Sequence, residues 1–337
     1  VDPVLSLERF ERQHRIYQRG SLSGATLRAL RIDARELARR DVLRVITERV
    51  SLDQALLGDG TADGDNLDAQ LQDHLERELG LQSFESTLAW LESLGELDGR
   101  QRVAIAPLPL PAWWDEITDL EVEIDRGDVW FDFPFDEDGT PRSFPVERRP
   151  MLSVFAIVGE TRREIVRWPT TIGGWRLERV RQRDVWRYKE SPAGTFVWNQ
   201  IVSAPVWLPP PSTPAADLVT ERVIEDDGSI HTELNTTLLG PGYASAYGLA
   251  AAYHLPARPR PDGTWATGAD EGIRTHGSVD YTSVWRRASH GCHRLQNHRA
   301  LALYSFVLGH RENARVGHAR VDFRRTVEVD GAQQQLS

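Results

Sequence analysis

The chain changes its hydrophobic period once, at Pro107-Leu-Pro-Leu-Pro111, and that switch limits the fold more than any other feature. Each proline lacks an amide donor and biases the residue before it away from the helical region, so neither a helix nor a central strand crosses this stretch. Before it, from Leu5 to about Leu97, apolar residues recur at helical spacing: Leu37, Val42, Leu43, Val45 and Ile46, then Leu67, Leu71, Leu75 and Leu79. Between them, Gly58-Asp-Gly-Thr-Ala-Asp-Gly-Asp65 reads as an exposed loop. From residue 112 strand formers dominate, in Leu120–Ile124, Val129–Phe133, Leu152–Val158 and Glu164–Trp168, with Asp136-Glu-Asp-Gly139 placed to close a hairpin. Pro205-Val-Trp-Leu-Pro-Pro-Pro-Ser-Thr-Pro214 is expected as an extended surface segment. Arg299 to Leu308 has the length and apolar content of a helix buried on one face and ending at Gly309. The expected fold class is α+β: a small helical domain over 1–105, then a β-rich domain over 112–330.

A length of 337 residues suits about two such domains. No apolar run approaches the roughly 20 residues of a membrane-spanning helix, so no span is expected. The net charge of −10 argues against a general nucleic-acid binder. Nearly all cations are Arg, Lys189 being the only Lys, and they gather around Arg286-Arg287-Ala-Ser-His-Gly-Cys-His-Arg294, where a carboxylate could be held. The sequence starts at Val1 without a basic-then-apolar leader, so any export signal is expected to have been removed. A single cysteine excludes an internal disulfide and leaves Cys292 as either packing or a reactive thiol.

The second reading has support around it. His276 lies sixteen positions before Cys292, and a nucleophilic thiol needs a neighbouring base or cation. Gly291 lets the backbone approach a bound carbonyl, so the amides of Gly291 and Cys292 are candidate oxyanion donors. Arg294 is a candidate carboxylate anchor. The expected helix after the loop would add its N-terminus to whatever stabilises a thiolate. Four His lie between 276 and 298, and a zinc site from His276, His290, Cys292, His293 and His298 stands as the rival reading, although the spacing fits no zinc pattern. His290 is expected to be buried, orienting the loop.

His276-Gly-Ser278 followed by Ser289-His-Gly-Cys292-His-Arg294 resembles the active-site signature of the L,D-transpeptidases with a YkuD-type catalytic domain. Gly240-Pro-Gly-Tyr-Ala-Ser-Ala-Tyr-Gly248 and Pro205-Val-Trp-Leu-Pro-Pro are softer matches, and the resemblance spans about 150–325. It implies a sandwich- or barrel-like β domain, with Cys292 as nucleophile, His276 as base and acid, and the Gly277 carbonyl orienting His276. Arg294 would bind substrate, with Ser278, Ser289, His290 and Asn297 as further substrate contacts. No metal or organic cofactor is needed. The substrate would be a peptidoglycan tetrapeptide stem, cross-linked in the periplasm by a thiol that carbapenems acylate. Water, another amine or a protein could instead resolve the same thioester, and a wall-binding protein without activity is a further alternative. The run Leu7–His14 through Gly20–Leu30 is similar to the carboxy-terminal half of a peptidoglycan-binding helical repeat, with a plain helical scaffold as its alternative. One departure is His293, where the family usually has an apolar residue; it places a titratable side chain next to the nucleophile and is expected to mark a subgroup with a different substrate or an altered pH profile.

Overall fold

The computed structural model describes residues 3–16, 22–62, 65–95, 103–181, 183–223, 230–285, 289–318, 321–329 and 331–336. Arg286 and Arg287 of the basic segment, Gly20 of the amino-terminal run and part of the Gly58–Asp65 loop lie outside these residues. The chain forms two compact units, one of Val1–Ile124, Leu152–Trp168 and Ser305–Glu312, the other of Asp125–Met151, Pro169–Tyr304 and Asn313–Ser337.

The first unit contains helices α1 (Pro3–Gln13), α2 (Gly24–Leu30), α3 (Ala34–Asp53), α4 (Leu67–Glu78) and α5 (Phe84–Ser93). Side chains that bind free amides start four of them: Ser23, Asp33 and Asn66, and Ser83 in a reciprocal capping box with Ser86. The helical apolar stripe buries Leu43, Leu67, Leu71 and Leu75. Strands β1 (Ile117–Asp125), β2 (Met151–Val158) and β3 (Thr161–Pro169) form a three-stranded sheet in that order, burying Leu152, Val154, Val166 and Trp168. The loop expected to be exposed is tethered: Gly58 is buried, and Asp59 Oδ2 accepts a 2.7 Å bond from the Trp168 indole.

The second unit holds β4 (Trp175–Val180), β5 (Arg183–Tyr188), β6 (Phe196–Ser203), β7 (Val219–Val223), β8 (Ile230–Leu234), β9 (Ala250–Pro259), β10 (Trp265–Thr267), β11 (Arg274–Ser278), β12 (His293–Gln296), β13 (Arg325–Val329) and β14 (Ala332–Leu336). Its main sheet runs β10-β9-β11-β12, with β6 also on β9. β9 is antiparallel to β6, β10 and β11, whereas β11 and β12 are parallel. The hairpins β4-β5, β7-β8 and β13-β14 form separate two-stranded sheets. The whole is a mixed α+β fold.

Three expectations need correction. Val129–Phe133 is no strand, and the hairpin after it reduces to one bridge, Phe135 to Pro141. Prolines at 134, 141 and 145 withdraw ladder donors, and the aromatics pack on rings instead, Trp130 on Phe144 at 5.5 Å and Phe133 on Trp175 at 5.2 Å. The Pro205–Pro214 segment is irregular but not superficial, because Pro205 and Pro209 are buried and Trp207 packs against the cluster of Leu218, Leu239, Val327, Val329 and Leu336. Helix α6 (Asn297–His310) runs through Gly309 rather than stopping at it. That glycine serves close approach: a Cβ there would sit 2.3 Å from Ala55 Cβ.

Candidate active site

Two parallel strands carry the site. In their register His276 lies opposite Arg294 and Thr275 opposite His293. Side chains alternate along a strand and register partners share a face, so His276 and Arg294 stand on one face and Thr275 and His293 on the other. Cys292 immediately precedes β12, two residues before Arg294, so the same alternation extended by one step assigns it to the His276 face.

His276 is only 2% exposed. Its Nδ1 lies 2.7 Å from the Gly277 carbonyl, which can only accept, so Nδ1 carries the proton and Nε2 keeps its lone pair. Burial, then the Arg294 cation, lowers its pKa to about 3 against the weaker pull of the Gly277 carbonyl. The imidazole is therefore neutral at any physiological pH. Tyr247 covers it, ring centroids 4.8 Å apart.

The Cys292 thiol is buried, and Sγ lies 3.5 Å from the Gly272 carbonyl, to which it can donate. Burial raises its pKa, opposed by the amide of Arg274 and then by the charges of Arg294 and Arg274. The resting pair is a neutral thiol with a neutral imidazole rather than an ion pair. The expected helix N-terminus is not next to the sulfur, because β12 intervenes and α6 begins only at Asn297.

Tight backbone packing fixes the loop before Cys292. Gly291 has φ of 113°, and a Cβ on it would fall 2.8 Å from the Glu190 carbonyl oxygen, so only glycine fits. Its amide donates to Ser289 Oγ at 3.2 Å, and its carbonyl accepts from Ser191 Oγ at 2.8 Å. Ser191 Oγ in turn accepts from the Gly173 amide at 3.0 Å, while Gly173 forms a parallel bridge with Ser289.

The remaining expected residues divide by what they touch. The Nε of Arg294 is buried without a hydrogen-bond partner, and its carbonyl accepts from Thr170 Oγ1 at 3.0 Å. Ser278 Oγ accepts from the Asp280 amide at 3.1 Å. Asn297 uses both ends of its amide on backbone, accepting from Leu249 at 2.9 Å and donating to the Tyr243 carbonyl at 3.0 Å, which pins the glycine-rich segment. His290 is exposed, not buried as expected, because it sits at the turn between buried Ser289 and Gly291. Local desolvation, then Arg176 and Lys189, still lowers its pKa.

His293 is a neighbour of Cys292 in sequence only. Its ring is on the opposite face, 5.5 Å from His254. His254 Nε2 accepts from the Trp198 indole at 2.9 Å and lies 2.9 Å from Thr275 Oγ1. Burial lowers the pKa of His293 to about 3 and that of His254 to about 4.

The sequence reading passed over Tyr247 and Asp270. Tyr247 had a signal, its place in the glycine-rich segment. Asp270 binds Arg274 through both oxygens at 2.7 and 2.6 Å, and Arg274 also lies over the Tyr253 ring at 3.7 Å. Among the described residues no three His, Cys, Asp or Glu side chains converge as metal ligands, and no helix is long and apolar enough to cross a membrane.

The L,D-transpeptidase catalytic domain family (YkuD) matches residues 148–329, more than half of the chain. No curated protein and no solved structure matches it.

Proposed function

The chain belongs to the L,D-transpeptidase (YkuD) family, and from that premise we propose that it cleaves and re-forms amide bonds of peptidoglycan stems through a thioester on Cys292. The observation that carries this reading is the tautomer of His276. With Nδ1 held by the Gly277 carbonyl, Nε2 keeps the free lone pair that a base for Cys292 needs. His276 Nε2 takes the thiol proton as Sγ attacks the carbonyl carbon of the third stem residue. The C–S bond forms, the C–N bond breaks, and terminal D-alanine leaves with the proton that His276 returns. An amine of a second stem then attacks the thioester, gives its proton to His276 and expels the sulfur, leaving a 3→3 cross-link.

The amide of Cys292 is the oxyanion donor we favour, joined by that of Gly291 once it leaves Ser289 Oγ. Arg294 holds a substrate carboxylate, and Ser278, Ser289 and Asn297 support the site by fixing its backbone. A thiol that starts protonated suits this base-assisted attack, since the charge appears only when substrate excludes water. We place the reaction in the cell envelope, in a periplasm, and assign residues 1–105 to wall attachment or to scaffolding.

Intact-mass spectrometry after mixing with a carbapenem tests the reading, with Cys292→Ala as control. A stable adduct on the parent protein alone is expected. No adduct, on a thiol that iodoacetamide still alkylates, would overturn it. Muropeptide analysis then separates cross-linking from hydrolysis or transfer to another amine.

A further inference from the structure

The nucleophile loop is held by a serine 100 residues earlier in the chain. Ser191 is 3% exposed, and its hydroxyl lies between two backbone groups of opposite kind, the Gly173 amide at 3.0 Å and the Gly291 carbonyl at 2.8 Å. An amide N–H can only donate and a carbonyl can only accept, so the direction of both bonds is fixed: Gly173 donates to Oγ, and Oγ donates to Gly291. The segment around Ser191 has little room to shift. A Cβ on Gly173 would collide with the Lys189 carbonyl, and one on Gly291 would fall 2.8 Å from the Glu190 carbonyl oxygen. Arg126 Nη1 ties the same segment down, bonding Glu190 Oε1 at 2.8 Å and the Ser191 carbonyl at 3.0 Å.

The consequence for the loop follows from the planarity of the peptide that Ser191 grips. Among the described residues the one cis bond is Gly240–Pro241, so the Gly291–Cys292 peptide is trans. In a trans peptide the carbonyl and the amide N–H lie in one plane and point in opposite directions. With its carbonyl held by Ser191, this peptide must direct the Cys292 N–H away from Ser191. The hydrogen bond also draws electron density towards the carbonyl oxygen, and in a buried chain of N–H to O–H to C=O each bond strengthens the next, which makes the Cys292 N–H a better donor. That N–H is the one favoured above as oxyanion donor.

We propose that Ser191 is a positioning residue for the oxyanion hole: its hydroxyl fixes and polarises the Gly291–Cys292 peptide so that the Cys292 N–H meets the negative oxygen formed when Sγ adds to an acyl carbon. This rests on the thioester reaction proposed for Cys292. A donor already held in place stabilises the new charge without having to reorganise as it appears. Ser191 touches no reacting atom and leaves the transfer of the thiol proton to His276. Its effect is therefore confined to reactions of Cys292 that build an oxyanion.

Two reagents that modify the same sulfur separate this role from plain support of the loop. Acylation by a carbapenem passes through a tetrahedral oxyanion, whereas alkylation by iodoacetamide expels iodide and forms none. Followed by time-resolved intact-mass spectrometry, Ser191→Ala is expected to slow acylation about tenfold, short of the roughly 10²- to 10³-fold cost of a donor removed outright, while Cys292 is alkylated at the parent rate. Ser191→Thr keeps the hydroxyl, and its ratio of acylation to alkylation rates should stay within about threefold of the parent. Unchanged acylation in Ser191→Ala, alkylation that shifts along with it in either direction, or a ratio in Ser191→Thr as low as in Ser191→Ala would each overturn the proposal. Failure of the proposed reaction would appear separately, as a parent protein that iodoacetamide alkylates and the carbapenem never acylates.

Discussion

The two faces of β11 and β12 each bury histidine, and the contrast between them separates the imidazole proposed as a base from one that only packs. His276 and His293 are both inaccessible, and burial holds both near a pKa of about 3. On the face of Cys292, one ring nitrogen is bound to a carbonyl and the other is left basic. On the other face, His254 accepts from the Trp198 indole while lying against His293. Depressed basicity is common to both faces. A ring nitrogen left with its lone pair free by the Gly277 carbonyl belongs to one.

The strongest way to break this comparison is His276→Gln. It should slow acylation of Cys292 by about 10²- to 10⁴-fold, the usual contribution of a general base, as read by time-resolved mass spectrometry. A loss under tenfold would mean that the neutral pair does not operate as described.

Acid unfolding probes what the faces have in common. His254, His276 and His293 have folded pKa values of about 4, 3 and 3 against an ordinary 6.5. The unfolded chain binds protons that the folded chain refuses, so stability is complete above pH 6.5 and falls as pH drops towards 3 to 4. At pH 5 each histidine accounts for about 2 kcal/mol of that loss. Urea unfolding at pH 7 and pH 5 measures the sum, and a flat profile would show that these rings are not buried neutral.

The smallest expected effect sharpens the difference. His293→Val should change the acylation rate by less than about threefold, while recovering about 2 kcal/mol of stability at pH 5 relative to pH 7. A rate loss like that of His276→Gln would mean that the back face takes part in the chemistry.

The legibility of this chain follows the same divide. The Cys292 and His276 motif could be read because rare residue types with a chemical purpose lie close together in sequence. The helical stripe of Leu67, Leu71 and Leu75 was readable because period is a local property. The bridge of Gly173 to Ser289 was not, since it joins positions more than a hundred residues apart. His293 was misjudged as company for the thiol because sequence adjacency in a strand means opposite faces. Val129–Phe133 looked like a strand because aromatics serve ring packing as readily as ladders, and composition alone does not separate the two uses.

The parallel pairing of β11 with β12 bears on how such sites change over time. Adjacent parallel strands are joined by a connection that must travel back along the sheet, here residues 279–292, and its path does not set the register. The ladder aligns His276 with Arg294 whatever the length of the connection before the packed Ser289–Cys292 turn, so that connection is free to lengthen or shorten while the two stay opposed. Insertions in that connection could reshape the entrance for new acceptors at little cost to the chemistry, and a search that demands a fixed interval would overlook those descendants.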